Sequence, residues 1–168
     1  SLMRGIKHAI TELEADAVIT MDADGQHKPK HIPEFIAKAH QNPNKLIIGA
    51  RLLAKEIAPK DRHFANCFAD FWVSWASGQA VVDSQSGFKL YPASLFNKVK
   101  TQAKTNKSFV FESEIIIDAA RVGFKIDFIP IEKIYPEDAR ASYFRPSQDI
   151  SKIVWMITLK LLRWGLYP

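Results

Sequence analysis

The chain has 168 residues, of which 47% are hydrophobic, and it carries a formal net charge of +5. This length supports one sizeable core and leaves little room for a second independent domain. A single cysteine excludes an internal disulfide framework, and no apolar run reaches the ~20 residues that a membrane-spanning helix needs.

The first third of the chain predicts two strands separated by helices. Apolar spacing predicts a helix over residues 1–14, and an uninterrupted apolar run predicts a buried strand over residues 17–21. After a polar loop, the pattern predicts a helix over residues 30–41 and a strand over residues 45–49. Units of this kind generally form parallel sheets, and their ligands bind beyond the carboxyl ends of the strands. We therefore expect a functional site just after the first strand.

The rest of the chain continues the α/β pattern. A helix over residues 61–77 is rich in aromatic side chains, which we interpret as core or interface, and we interpret Cys67 within it as part of the core. Residues 81–91 predict two short strands around Gly87. The remaining predicted elements are helices over residues 93–100 and 112–122, a strand over residues 126–131, and a final helix that begins near residue 149.

The strongest local signal is the alternation of Asp22, Asp24 and Gln26 at the end of the first predicted strand. Two carboxylates and an amide oxygen at this spacing can converge on one hard divalent cation, and oxygen ligands favour Mg²⁺ or Mn²⁺ over zinc. The alternative is a polar turn held by side-chain hydrogen bonds. A calcium-binding EF-hand loop is excluded, because its glycine and glutamate positions hold His27 and Pro33. A phosphatase with an aspartate nucleophile remains the alternative enzyme class.

Four segments together resemble one family. Residues 22–26, 48–51, 83–89 and 111–114 occur in the order and approximate spacing of the inverting family-2 glycosyltransferases of GT-A type, a group that includes dolichol-phosphate mannose synthase. The resemblance implies a Rossmann-like mixed sheet, a nucleotide diphosphate sugar as donor, and transfer of the sugar with inversion at its anomeric carbon. The alternatives to this glycosyltransferase function are the phosphatase and a non-catalytic interaction domain.

The resemblance also implies roles for individual residues. The two aspartates and the glutamine of residues 22–26 would hold the Mg²⁺ or Mn²⁺ ion that bridges the donor's diphosphate. Asp83 and Glu114 are the candidate catalytic residues, although the predicted start of a helix at Glu112 favours carboxylates in any protein. The candidate substrate-binding residues, which the family places around the donor and the acceptor, are Arg51, Ser86, Gly87, Lys89, Arg140, Ser142 and Arg145.

The loop over residues 140–145 bears on the acceptor. It occupies the place of the R-x-x-G-x-S segment that engages lipid phosphate in the polyprenyl-phosphate enzymes of the family. This chain lacks the glycine, and Ser142 lies only two residues after Arg140, so both a polyprenyl phosphate and a glycolipid stay open as acceptors. A hydroxyl acceptor needs a general base, whereas a lipid phosphate is already an anion.

We expect a glycosyltransferase domain over residues 1–148 and an amphipathic helix over residues 149–168. The predicted apolar side of this helix consists of Ile150, Ile153, Val154, Ile157, Leu161 and Trp164. Lys152, Lys160 and Arg163 lie opposite, a pattern that suits either a helix in a membrane interface or one packed on the domain. The expected location is cytoplasmic, at the cytoplasmic face of a membrane.

The family opens with a strand, a helix and a second strand that hold the nucleotide, and the first predicted helix follows no such segment. We therefore expect a partial domain that lacks the first nucleotide-binding strands and does not transfer sugar by itself. An uncovered sheet edge would favour a homo-oligomer. Nucleic acid is not an expected partner, because the basic residues cluster with an apolar helix.

Overall fold

The structure is a computed structural model that describes residues 2–52, 60–99, 108–132 and 146–163. Helices and strands alternate along these residues, and a short 3-10 turn, Pro29–His31, precedes the second helix. The elements are α1 (Leu2–Thr11), β1 (Ala17–Thr20), α2 (Ile32–Gln41), β2 (Lys45–Ala50), α3 (Lys60–Ser77), β3 (Lys89–Pro92), α4 (Ala93–Lys98), α5 (Ser108–Arg121), β4 (Lys125–Pro130) and α6 (Pro146–Arg163). The predicted α/β class is confirmed.

The four strands form one mixed sheet in the order β1-β3-β2-β4. β2 and β4 are parallel, whereas β3 runs antiparallel to both of its neighbours and places Lys89 opposite Thr20 on one side and Ile48 on the other. β1 and β2 therefore run in the same direction, as the β-loop-α-β pattern predicts, but they do not pair directly because β3 lies between them. The carboxyl ends of β1, β2 and β4 meet the amino end of β3 at one edge of the sheet, and this edge carries the candidate site.

Both faces of the sheet are covered by apolar side chains. Along β2, Leu46 and Ile48 point into the larger core, formed with α1, α3, α5 and α6, while Ile47 points to the opposite face and packs with Phe35 of α2. Alternate residues of a strand face opposite sides of its sheet, so an uninterrupted apolar strand needs a covering layer on each. The sheet edge is thus held rigidly from both sides.

Residues 81–88 form a turn, so only the second of the two strands predicted around Gly87 is present, as β3, and the first is wrong. Asp83 adopts a left-handed conformation with φ of 55°, and the backbone N–H of Ser86 donates to the Asp83 carbonyl at 3.0 Å. The backbone N–H groups of Asp83 and Ser84 donate to the carboxylate of Asp70 on α3. These N–H groups are therefore not available to a sheet ladder.

The helix α5 begins at Ser108, earlier than the predicted start at Glu112. Glu112 and Glu114 therefore lie inside the helix, so the helix dipole does not explain their presence. The end of α5 follows the prediction. Gly123 has a φ of 90°, and the N–H of Phe124 donates to the carbonyl of Ala119 at 3.0 Å, which closes the last turn.

The aromatic helix α3 buries its small residues and exposes its large ones. The buried side chains are Ala65, Ala69, Val73 and Ala76, and the exposed aromatic side chains are Phe64, Phe71 and Trp75. Cys67 is exposed, so its assignment to the core is wrong. Small residues let α3 approach its neighbouring helices closely, which leaves the larger rings on the outer face.

The final helix α6 packs against α3 and α5. Ile153, Ile157 and Leu161 are buried in the larger core, so this part of the predicted membrane-facing side faces the domain instead. The exposed apolar side chains of α6 are Trp155, Leu159 and Leu162. Among the helices described, none has the length and apolar character needed to cross a bilayer.

Candidate active site

Residues 22–26, which we call the acidic loop, follow β1 at the sheet edge. The side chains of Asp22 and Asp24 are exposed, and Gln26 is half-buried. The backbone N–H of Gln26 donates to Asp24 Oδ1 at 3.0 Å, and Gly25 has a φ of 75°. The polar turn that the sequence offered as an alternative is therefore present, and it fixes the orientation of Asp24.

The acidic loop supplies oxygen atoms of the kind that Mg²⁺ and Mn²⁺ prefer. Within residues 2–52, 60–99, 108–132 and 146–163, no group of three or more His, Cys, Asp or Glu side chains is placed to hold a metal ion. The loop itself offers two carboxylates and one amide oxygen, a set of ligand atoms that fits Mg²⁺ or Mn²⁺ in type. The metal therefore stays a prediction.

Residues 83–89, which we call the site turn, lie directly against the acidic loop. The hydroxyl of Thr20 donates to the carbonyl of Gly87 at 2.9 Å, which ties the end of β1 to the turn. A Cβ atom added to Gly87 would overlap the carboxylate of Asp22. Glycine is therefore required at position 87 if Asp22 is to keep its place. The structure thus brings together two of the predicted segments.

A buried lysine supports the site turn from below. The side chain of Lys89 is fully buried, and its Nζ donates to the carbonyl of Ser86 and lies 3.4 Å from Glu112 Oε2 on α5. The same helix contributes Ser113, whose hydroxyl accepts a hydrogen bond from Gln85 Nε2 at 2.8 Å. The amine of Lys89 therefore points into the protein and shapes the turn.

The charge of Glu112 is set by its surroundings. Burial is the largest influence and raises the pKa of Glu112 above its ordinary value. The positive charge of Lys89 opposes this rise, and the negative charge of Asp22 adds to it. Glu112 therefore belongs electrostatically to the same site as the acidic loop.

Arg51, which follows β2, is held by Asp83 of the site turn. The backbone N–H and the Nε of Arg51 donate to Asp83 Oδ2 at 2.8 and 2.6 Å, and its second guanidinium nitrogen donates to Asp83 Oδ1. Burial by itself raises the pKa of Asp83, but the hydrogen bonds and charge of Arg51 outweigh burial and keep that pKa below its ordinary value. The two side chains form an ion pair at the sheet edge.

Two lysines and a glutamate fasten the segment after the acidic loop. Glu132 follows β4 at the same sheet edge, and its carboxylate accepts hydrogen bonds from Lys28 and from Lys30, the latter at 2.9 Å. These hydrogen bonds lower the pKa of Glu132 to about 2. The buried His27 places its Nδ1 3.9 Å from Asp22 Oδ2. The acidic loop is thus anchored at its carboxyl end.

Glu114, a candidate catalytic residue, lies away from this cluster of contacts. Its Oε1 is 3.3 Å from Lys160 Nζ on α6, and Lys160 also bonds Asp118. Glu114 therefore takes part in the α5–α6 contact, whereas Glu112 faces the site turn. The catalytic role of Glu114 stays a prediction. The substrate-binding candidates of the 140–145 loop, which lie outside the described residues, are Arg140, Ser142 and Arg145.

Three residues of the site carry no prediction from the sequence: Asp70, His27 and Glu132. Asp70 is the single charged residue between Phe64 and Ser77 in a helix dominated by apolar and aromatic side chains, and this isolation is the signal that could have revealed it. His27 and Glu132 carry no such signal, because they reach the site only through the folded arrangement of loops.

Comparison with known proteins places the chain among glycosyltransferases. The family model for glycosyl transferase family 2 matches residues 1–112. An uncharacterised protein of Methanocaldococcus jannaschii is 31% identical over 82% of this chain and 57% of its own length. A UDP-N-acetylglucosamine–dolichyl-phosphate N-acetylglucosaminyltransferase of Methanococcus voltae is 32% identical over 82% of this chain and 55% of its own length.

A third relative is more distant. An undecaprenyl-phosphate mannosyltransferase of Micrococcus luteus is 25% identical over 90% of this chain and 60% of its own length. The chain thus spans between 55% and 60% of the length of these three relatives.

The family match includes both the acidic loop and the site turn, and it covers more than half of the chain. These two segments are the ones that meet at the sheet edge. The chain belongs to glycosyl transferase family 2.

Proposed function

We propose that the full-length protein transfers a sugar from a nucleotide diphosphate sugar to a polyprenyl phosphate, with a divalent metal at the acidic loop and with inversion at the anomeric carbon. The observation that carries this proposal is the convergence of three family segments at one sheet edge. Asp22 lies against Gly87 of the site turn, and Asp83 of the same turn holds Arg51. This arrangement combines exposed carboxylates with a guanidinium.

The acidic loop is the proposed binding site for the donor's diphosphate. Asp22, Asp24 and Gln26 would hold Mg²⁺ or Mn²⁺, and the ion, when bound, stabilises the negative charge that grows on the leaving nucleoside diphosphate by several kcal/mol, about the usual size for such ions. Gly87 leaves the space that Asp22 needs for this task. Without a metal, two carboxylates would repel a diphosphate.

Arg51 is the proposed phosphate contact of the protein itself. A guanidinium stays charged at any physiological pH and matches phosphate oxygens in pairs. The buried Lys89 has a different proposed role, because its amine is directed at Ser86 and Glu112. We assign Lys89 to the shape of the site turn, in place of the phosphate contact that the family resemblance implied.

The proposed acceptor is a polyprenyl phosphate. Two relatives that match most of this chain carry names that specify dolichyl phosphate and undecaprenyl phosphate. In the transfer, the bond between the anomeric carbon and the diphosphate oxygen breaks while a lipid phosphate oxygen bonds the same carbon from the opposite face. Because the phosphate is already an anion, no general base is needed, and Asp83 and Glu112 serve to orient the site.

A lipid acceptor requires that the protein reach a membrane surface. α3 and α6 each expose large apolar side chains, among them Phe71 and Trp75 on α3 and Trp155 on α6. Aromatic side chains on amphipathic helices suit the boundary between headgroups and hydrocarbon. We therefore propose peripheral membrane binding through the outer faces of these two helices, which differ from the face of α6 that the sequence predicted.

The direct test is an assay of the full-length protein with radiolabelled UDP-N-acetylglucosamine and GDP-mannose, each with Mn²⁺ and a polyprenyl phosphate in detergent. We expect label in the lipid fraction for one donor, and we expect EDTA to abolish it. Addition of the dephosphorylated polyprenol provides the matched control for the acceptor phosphate.

Two results would contradict the proposal. Labelled lipid formed equally from polyprenol and from polyprenyl phosphate would remove the phosphate acceptor. Hydrolysis of a phosphomonoester such as p-nitrophenyl phosphate, without sugar transfer from any donor, would favour the phosphatase with an aspartate nucleophile.

A further inference from the structure

Asp70 connects the aromatic helix α3 to the candidate site. It is the single charged residue between Phe64 and Ser77, and its side chain points inward, toward the site turn. Its Oδ2 accepts the backbone N–H of Asp83 at 2.9 Å, and its Oδ1 accepts the backbone N–H of Ser84 at 2.7 Å. Both carboxylate oxygens of Asp70 are thus used on two consecutive amides of the turn.

The residue that Asp70 holds, Asp83, has an unusual backbone conformation. Asp83 has a φ of 55°, in the left-handed region that residues other than glycine rarely adopt. A residue stays in this region only when its surroundings fix it there. The two backbone N–H groups that donate to Asp70 fix the backbone at this point, so they also fix the direction in which the side chain of Asp83 leaves the chain.

The side chain of Asp83 in turn determines where Arg51 lies. It accepts the backbone N–H and the Nε–H of Arg51 at 2.8 and 2.6 Å. A carboxylate that binds both the backbone and the guanidinium of one arginine leaves that side chain little rotational freedom. Asp70, Asp83 and Arg51 therefore form a chain of contacts that runs from α3 to the sheet edge.

We propose that Asp70 is a positioning residue of the site: it holds Asp83 so that the Asp83 carboxylate orients Arg51 toward the phosphate groups of the substrates. The part of this proposal that concerns phosphate rests on the proposed function. The part that concerns the orientation of Arg51 rests on the hydrogen bonds alone, and the two parts are tested separately.

The key variant is Asp70→Asn in the full-length protein. Asparagine keeps the size of the side chain but replaces one acceptor oxygen with an NH₂ group that faces a backbone N–H. The matched control is Asp127→Asn. Asp127 is also partly buried and accepts hydrogen bonds from Lys45 and Phe128, but it lies on β4 beside the first half of β2, away from the site edge.

The first measurement is the NMR signal of the Arg51 Nε–H group, assigned by its loss in Arg51→Lys. A short hydrogen bond to a carboxylate shifts this signal downfield and slows its exchange with water. We expect Asp70→Asn to move the signal toward that of an exposed arginine and to speed its exchange about 10-fold, the factor that corresponds to the loss of one hydrogen bond to a charged group. Asp127→Asn should leave the signal unchanged.

The second measurement is the affinity for UDP and GDP in the presence of Mn²⁺. We expect Asp70→Asn to weaken the binding of whichever nucleotide binds more tightly by about 10-fold. This is the lower end of the range for residues that orient a ligand-binding group. Arg51→Lys combined with Asp70→Asn should bind no more weakly than Arg51→Lys alone, because both changes act through the same contact.

The outcomes separate the two ideas. An Arg51 signal that is the same in Asp70→Asn and in the unaltered protein overturns the positioning role. If the signal moves but neither nucleotide binds the unaltered protein, the positioning role stands and the proposed function fails. If nucleotide binding falls equally in Asp127→Asn and Asp70→Asn, the loss of affinity reflects a general loss of stability, and the proposed link between Asp70 and phosphate binding is overturned.

Discussion

The acidic loop and the site turn touch each other, yet they differ in almost every physical respect. The loop is exposed, and it is held mainly by the hydrogen bond between Gln26 and Asp24 and by anchors at its end. The turn is largely buried; its own Lys89 braces it from within, and side chains of α3 and α5 hold it from outside. Substitutions in the exposed loop should therefore leave the fold intact, whereas substitutions that disturb the packing of the turn should destabilise it.

The largest effect on activity is expected at Asp24, in the exposed part. Asp24→Asn keeps the acceptor oxygen that binds the Gln26 N–H but removes the charge that would hold a metal. We expect turnover by the full-length protein to fall roughly 100-fold or more, since metal stabilisation of a leaving group amounts to several kcal/mol. The melting temperature should not change, because an exposed loop contributes little to the core.

Asp24→Ala sharpens this test, because alanine removes both the charge and the turn. Similar losses in the two variants would assign the effect to the charge. Full activity in Asp24→Asn, together with loss in Asp24→Ala, would show that the turn matters and the metal does not.

The next largest effect is expected at Gly87, and it tests whether the site turn supports activity by positioning the acidic loop. Gly87→Ala adds a methyl group where the Asp22 carboxylate lies. Because this carboxylate is the end of a mobile side chain, it can move aside, so we expect about a 10- to 100-fold loss of turnover with a small change in melting temperature. Gly5→Ala on α1 is the control, since nothing lies within 4 Å of the added atom. If Gly87→Ala and Gly5→Ala have equal turnover, the contact between the site turn and the acidic loop does not contribute to activity.

The buried part should show its own effect on stability. Lys89→Met leaves Glu112 without its positive partner, and breaking a buried ion pair in this way costs about 3–5 kcal/mol of the free energy of unfolding. Glu112→Gln in the same chain should recover much of that loss. Urea unfolding at neutral pH measures both. If Lys89→Met and the double variant have the same free energy of unfolding, Lys89 and Glu112 do not form a charged pair.

The pH dependence of the same variants follows from the raised pKa of Glu112. A carboxyl group whose pKa is higher in the folded state than in the unfolded state favours folding when it is protonated. Its contribution is therefore full below the ordinary value of 4.5 and is lost as the pH rises through the raised pKa. Lys89→Met should lose stability more steeply over this range than the unaltered protein, and Glu112→Gln should remove that difference.

The smallest effect on activity is expected at Glu114. Its carboxylate pairs with Lys160 at the α5–α6 contact, whereas Glu112 on the same helix faces the site turn. We expect Glu114→Gln to change turnover less than about 3-fold, because its ion pair with Lys160 lies at the α5–α6 contact and not at the site turn. Glu112→Gln should have the larger effect. The reverse order would restore Glu114 as the catalytic carboxylate that the resemblance suggested.

Most of the fold could be predicted from the sequence, because its elements have clear periodicity. The strand over residues 45–50 and the helix over residues 60–77 lie within one residue of their predicted limits. The position of β3 between β1 and β2 could not be predicted, since it depends on pairing between residues that are far apart along the chain. The same holds for the turn before β3, whose N–H groups bond a helix side chain that precedes it.

The site was predictable in type but not in arrangement. The alternation of Asp22, Asp24 and Gln26 after an apolar strand pointed to the acidic loop without any knowledge of the fold. The choice between Glu112 and Glu114 depends on which side of α5 faces the turn. The predicted helix begins at Glu112, four residues after the actual start at Ser108, so the sequence did not show which glutamate faces the turn. The contact of Asp70 with Asp83 joins a helix to a turn, and no local pattern encodes it.

The central claim is that the acidic loop and the site turn form one metal-dependent site for a nucleotide diphosphate. The most direct test is calorimetric titration of the full-length protein with UDP and GDP, in Mn²⁺ and again in EDTA. We predict that Mn²⁺ tightens binding of one nucleotide at least about 10-fold and that Asp24→Asn removes this gain, as expected for a metal that bridges loop and diphosphate. Equal affinity in Mn²⁺ and EDTA, unaffected by Asp24→Asn, would contradict the claim.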